Sequence, residues 1–200
     1  MKRSLKGEMM NECYISVDVE TTGPSPAQYQ MVEIGACVVG DEGKSFESIM
    51  TYFLRDRYLP PSTEVLNILG FGSEFELGMR TGSGINYLPT RVMPRFAKWV
   101  SRVAGNAKPI FVANNAPFDW MFVCSYFDRW EAENPFGHSA LDMKAYSMGI
   151  TGCTWKEATL KTMAKRVAAT FEKLPHRALE DAIIQGRIFN KLLECRKETK

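Results

Sequence analysis

No apolar run in the 200-residue sequence approaches the roughly 18 residues a membrane-spanning helix needs. The opening stretch 1–7 is basic, but no apolar segment follows it, so a secretory leader is not expected. Cysteine is scarce and irregularly placed. Cys13, Cys37, Cys124, Cys153 and Cys195 are odd in number and include no Cys-x-x-Cys pair, which argues against a disulfide framework or a zinc site. Cys13 and Cys37 lie in apolar runs and read as buried thiols. A reducing, cytoplasmic compartment and no membrane partner are therefore expected. Charge of one sign is also lacking. The net charge of +2 neither demands nor excludes a nucleic-acid partner, and any basic surface must be local. Histidine occurs only twice, at His138 and His176. No internal repeat or low-complexity stretch divides the chain. Its length suits one domain over 1–200, with 1–10 as a flexible tail.

What is present reads as strands first and helices later. Residues 12–19 and 30–40 are rich in Val and Ile and flank a Gly- and Pro-containing turn, which predicts two strands. A third is expected over 45–54, and three strands this close suggest antiparallel hairpins. Residues 55–90 are irregular, with a short helix at 62–69 capped by Ser62 and a mobile loop over 71–89. Val92, Phe96, Trp99, Val100 and Val103 repeat at helical spacing and predict a helix over 90–104. A short buried strand at 109–113 follows, and Pro117 suits the first turn of a helix running to about residue 130. Further helices are expected at 139–149, 154–168 and 177–196, the last with Leu179, Ala182, Ile183, Gly186, Phe189 and Leu193 on one face. This order points to an α/β fold with a mixed sheet flanked by helices.

Three clusters carry chemistry. Asp18 and Glu20 are two apart at the end of the first strand, so they project from one face while Val19 points the other way. Two neighbouring carboxylates repel unless a cation lies between them, and hard divalent ions prefer such oxygens. Alone, the pair reads more readily as a solvated strand end. Thr21-Thr22-Gly23 follows, offering hydroxyls for a sugar or phosphate and a glycine for close approach of a ligand. In Asn114-Asn115-Ala116-Pro117-Phe118-Asp119, Asn115 is a candidate N-cap and Asp119 falls in the first helical turn, where the helix dipole alone would account for an acid. In the third cluster, His176 follows Pro175 on a loop, and Asp181 lies inside the last helix. Glu33, Asp142 and Glu180 read as structural or solvated. Arg80, Arg91 and Arg95 are either a track for a phosphate backbone or a solvated face.

Taken together, the clusters resemble the DEDDh exonucleases, which include the proofreading subunit of bacterial DNA polymerase III, oligoribonuclease, RNase T and the three-prime repair exonucleases. Asp18, Glu20, Thr21, Thr22 and Gly23 match the family's first motif, Asp-x-Glu-Thr-Thr-Gly. Asn115, Phe118 and Asp119 match the second, and His176, Ala178 and Asp181 the third. Val32 to Ala36 also resembles the family's second strand. One departure is Asn114, where many members carry His. The resemblance implies an RNase H-like fold, a five-stranded mixed sheet flanked by helices. It also implies a metal-dependent 3′→5′ exonuclease releasing nucleoside 5′-monophosphates. Two divalent cations, Mg²⁺ or Mn²⁺, would be held by Asp18, Glu20, Asp119 and Asp181, with Asp119 acting largely through water. His176 would be the general base, since an ordinary imidazole pKa of about 6.5 suits proton removal at neutral pH. Thr21, Thr22, Asn115 and Phe118 are the candidate substrate contacts, and Phe118 reads equally well as core. The implied partner is the 3′ end of single-stranded DNA or RNA. A polymerase or other replication or repair protein, and a homodimer, are compatible with the family. The competing readings are a non-catalytic binding or docking module on the same fold and a phosphodiesterase restricted to short oligonucleotides.

Overall fold

Alternation along the first strand assigns the two faces of the sheet. The computed structural model describes residues 11–53, 58–73, 76–77, 87–171 and 174–198. Strand β1 covers Glu12–Thr21. Ile15, Val17 and Val19 are buried on one face, among Val92, Phe96 and Trp99 of α2 (Pro89–Ala104) and Phe122 and Phe127 of α3 (Ala116–Arg129). Even-numbered residues turn to the other face. There Tyr14 meets Phe189 of α6 (Ala178–Glu198) edge-on, with ring centroids 5.5 Å apart.

Strands β2 (Met31–Val38) and β3 (Asp41–Ile49) continue as antiparallel neighbours. On the other side of β1, β4 (Lys108–Ala113) and β5 (Ala140–Asp142) run parallel to it. The spatial order is β3-β2-β1-β4-β5, a five-stranded mixed sheet with helices on both faces. The helices α1 (Thr63–Ile68), α4 (Met143–Thr151) and α5 (Leu160–Arg166) complete the described elements. Ser62 caps α1, its hydroxyl accepting from the Val65 N–H at 3.2 Å.

Several boundaries differ from the sequence reading. β3 begins and ends earlier than 45–54, because Val39 and Gly40 make a two-residue hairpin turn with Gly40 at φ +84°. The expected helix 139–149 begins with β5, three residues too short to show a period. Its helix starts only after Asp142, whose carboxylate caps it by accepting from the Ala145 N–H at 2.7 Å. The helix expected over 154–168 is confined to α5, opened by the Thr159 hydroxyl accepting from the Thr162 N–H. Of the face expected for α6, Ala182, Gly186 and Phe189 are buried and Leu179, Ile183 and Leu193 half-buried, while the buried face also takes in Ala178, Asp181, Ile184, Gln185, Ile188 and Leu192. Cys37 is buried and its thiol pushed up to about 12 by that burial, but Cys13 is only half-buried. The tail 1–10 and most of 71–89 lie outside the described residues.

One glycine seats α6. A Cβ on Gly35 of β2 would lie 2.1 Å from the Leu179 backbone nitrogen, so the first turn of α6 rests directly on the bare backbone of β2. Among the described residues no helix is long and apolar enough to cross a membrane.

Candidate active site

The carboxyl ends of the two central strands and the start of α6 meet at one end of the sheet. β1 supplies Asp18 and Glu20, and a register shift follows between Glu20 and Thr21. Such an irregularity bends the strand end and re-aims its side chains. β4 leads into α3, which supplies Asp119 in its first turn. The loop before α6 supplies His176 at φ +58°, and the helix supplies Asp181. Around these residues lies a cavity of about 240 Å³ that is also lined by Val19, Asn114, Asn115, Phe118, Leu160, Leu174 and Gln185.

Ligand atoms of Glu20, His176 and Asp181 lie within 4.8 Å of one another. Glu20, Asp119 and Asp181 are buried, Asp18 is half-buried and His176 is exposed. The electrostatics are unfavourable for bare carboxylates. Burial, then the charges of Asp119, Glu20 and Asp181, push Asp18 well above its ordinary range against a hydrogen bond from Gln185. Burial, then Asp181, Glu33 and Asp119, push Glu20 up to about 8. Asp119 also rises to about 8, chiefly by burial, although the Val19 N–H donates to its Oδ1 at 3.2 Å. Asp181 rises to about 6, again by burial first, opposed by the backbone N–H of His176. Asp181 Oδ1 is buried with no hydrogen-bond partner. An orphaned buried oxygen beside three further repelling carboxyls and an imidazole is the donor set a divalent cation satisfies, so the residues fit such an ion.

The other predicted contacts are placed unequally. Asn115 and Phe118 line the cavity. Phe118 is half-buried and packs against Phe122 at 5.4 Å, so it is both cavity wall and core margin. Asn115 stands at the N-cap in the left-handed conformation without a side-chain capping bond. The carboxylate of Asp142 serves the start of α3 instead, accepting from the Ala116 N–H at 2.7 Å. Thr21 and Thr22 are not brought into the lining. Thr22 is fully buried and accepts from the Gln30 N–H at 2.9 Å, and Thr21 donates to the Gly23 carbonyl at 2.9 Å. Gly23 is closely approached, but by the ring of Tyr29. Glu33 has a structural part: its Oε1 accepts from the Ala178 N–H at 3.1 Å and lies 3.5 Å from Arg177 Nε, steadying the loop that carries His176. Arg91 and Arg95 are exposed on α2, and Arg80 lies outside the described residues. Gln185 escaped the sequence reading. It is 2% exposed, donates to Asp18 Oδ1 at 2.6 Å and accepts from the Asn114 N–H at 2.7 Å. The available signal was its spacing, four residues after Asp181 and so on the same side of α6.

Comparison with known proteins agrees with this geometry. No protein-family model matches the chain. A protein of Escherichia coli, the 3′-5′ DNA exonuclease Cap18, is 34% identical over 191 residues, which cover 93% of this chain and 96% of that protein. Among solved structures, the nuclease domain of 3′hExo, a DEDDh family member bound to rAMP, superposes with a TM-score of 0.68 at 14% identity, covering 94% of each chain. E. coli Exonuclease I in complex with a dT13 oligonucleotide superposes at 0.63 and 19% identity, covering 94% of this chain and 42% of that one. At such identities these two structures speak for the fold. The relationship over nearly the whole of both sequences, the shared architecture and the acidic cavity lead to one assignment: the chain belongs to the DEDDh family of 3′→5′ exonucleases, divalent-metal-dependent hydrolases of the RNase H-like fold.

Proposed function

We propose that the chain hydrolyses phosphodiester bonds from the 3′ end of single-stranded or frayed DNA, releasing nucleoside 5′-monophosphates, with two Mg²⁺ or Mn²⁺ ions held by Asp18, Glu20, Asp119 and Asp181. The convergence of Glu20, His176 and Asp181 within 4.8 Å, in a cavity that Asp18 and Asp119 also line, supports this reading. DNA is preferred to RNA because the 34%-identical relative is named a DNA exonuclease.

Bound cations would neutralise the phosphate and stabilise both the attacking and the leaving oxygen. The chain's residues supply the rest. The four acids are hard oxygen ligands and become charged as the ions bind. His176, on its exposed loop, takes the proton of the attacking water. Phe118 meets the terminal base at the cavity wall, a contact worth about 1–3 kcal/mol if stacked. Asn115 reaches the terminal sugar or phosphate. Thr21 and Thr22 hold the turn that follows Glu20 through their hydroxyl bonds to Gly23 and Gln30.

The test is a panel of 5′-labelled single-stranded DNA, single-stranded RNA and a dinucleotide, each with Mg²⁺ and with Mn²⁺, and Asp18→Ala as control. A ladder shortening from the 3′ end, faster on DNA, is expected. Binding without cleavage in either metal would establish a docking module instead. Cleavage of the dinucleotide alone would establish an oligonucleotide-restricted phosphodiesterase.

A further inference from the structure

We infer that Gln185 is a positioning residue for Asp18, selecting which carboxylate oxygen is presented to a bound cation, and this rests on the metal-dependent reading above. Gln185 Nε2 donates to Asp18 Oδ1 at 2.6 Å, and its Oε1 accepts from the Asn114 N–H at 2.7 Å. These two bonds fix the amide in one orientation. Turned over, its carbonyl would face a carboxylate oxygen and its NH₂ would face an N–H. One oxygen of Asp18 is thereby committed, and the carboxylate cannot rotate freely about its last torsion. The other oxygen is left to the cavity that Asp18 lines.

The placement also has a longer reach. Gln185 stands one helical turn beyond Asp181 on α6 and is 2% exposed. Its two partners belong to β1 and to the loop entering α3, the segments that carry Asp18 with Glu20 and Asp119. One neutral side chain therefore ties together the three stretches of chain that deliver acids to the cavity. Neutrality matters. A glutamate would have the same shape but would add a fifth acidic group beside Asp18, and an apolar residue would leave the Asn114 N–H and Asp18 Oδ1 without their partners. Hydrogen-bond partners of metal-ligating carboxylates hold them for binding, and their loss typically costs 10–100-fold in metal affinity or activity.

Two variants of the full chain test this. Gln185→Met keeps length and bulk but makes neither bond. Gln185→Glu keeps the acceptor towards Asn114 and loses the donor towards Asp18. Calorimetric titration with Mn²⁺ alone should show both binding about 10–100-fold more weakly than wild type. On 5′-labelled single-stranded DNA, kcat should fall by a similar factor while KM for DNA stays within about twofold. Retention of wild-type Mn²⁺ affinity by folded Gln185→Met, or equal or tighter binding by Gln185→Glu, would overturn the assignment, as would a rise in KM with kcat unchanged. Should Gln185→Met fail to fold, Gln185→Glu decides alone. The titration needs no turnover. A wild type that binds Mn²⁺ and cuts nothing would therefore refute the nuclease reading and leave Gln185 to be judged on binding.

Discussion

Titrating Mn²⁺ into the protein at pH 7 should drive protons out of it. Glu20 and Asp119 are held at about 8 and Asp181 at about 6, by burial first, with Asp181, Glu33 and Asp119 adding at Glu20, Asp142 at Asp119, and Glu180 and Glu33 at Asp181. At pH 7 the first two are each about nine-tenths protonated and Asp181 about one-tenth. A cation that takes all of them as carboxylates displaces about two protons, and approaches three if Asp18 titrates with the set. Calorimetry in PIPES and in Tris, which differ in ionisation enthalpy, reads that number from the difference in heat. Apparent affinity should climb about 100-fold from pH 6 to pH 7 and flatten above pH 8. Stability of the metal-free protein follows with a definite sign. Each folded pKa lies above its unfolded value, so each group's contribution is most favourable at low pH and is lost as pH rises from about 4.5 through 8. For Glu20, a rise from 4.5 to about 8 amounts to roughly 5 kcal/mol when the group is ionised without a counter-charge. In EDTA the Tm should therefore fall between pH 5 and 9, and Mn²⁺ should restore it most at the alkaline end. Proton release near zero at pH 7, together with a flat metal-free Tm across that range, would refute the confinement of these acids in one cavity.

Asp181→Asn should raise the metal-free stability at pH 8 by about 1–3 kcal/mol in urea unfolding, because it removes a buried repelling charge, while abolishing cleavage. His176→Ala should lower kcat about 10²–10⁴-fold, with part of the loss recovered by added imidazole. Gly35→Ala should cost about 2–4 kcal/mol and most of the activity together, since its Cβ would lie 2.1 Å from the Leu179 nitrogen and displace the start of α6. Tyr126→Phe should cost about 1–3 kcal/mol without altering kcat. The Tyr126 hydroxyl accepts from the Met31 N–H at 2.7 Å in the core, and its loss leaves that N–H unpaired.

Much of this architecture is legible in the residues, and the exceptions have physical causes. The alternation of Ile15, Val17 and Val19 with Asp18 and Glu20 declares a strand with a buried and a chemical face. The spacing of Val92, Phe96, Trp99 and Val100 declares α2. β5 is invisible because three residues carry no period, and Asp142, which looks like a surface acid, turns out to cap two helices by way of Ala116 and Ala145. Apolar periodicity finds Ala182, Gly186 and Phe189 on the buried side of α6 but not Asp181 and Gln185, because these two buried residues are polar. Thr21 and Thr22 invite a substrate role by type, yet their hydroxyls are spent on Gly23 and Gln30, a pairing fixed by the turn and not by the motif. Gln185 could be suspected from its distance to Asp181 but not paired with Asp18, 167 residues away.

That separation has a consequence for how such a chain is made. A bond spanning 167 residues cannot form until α6 has emerged from the ribosome, and without α6 neither His176 nor Asp181 is in place. A nascent chain therefore cannot assemble the acidic cavity before the residues up to Gln185 have been made and have folded back onto β1.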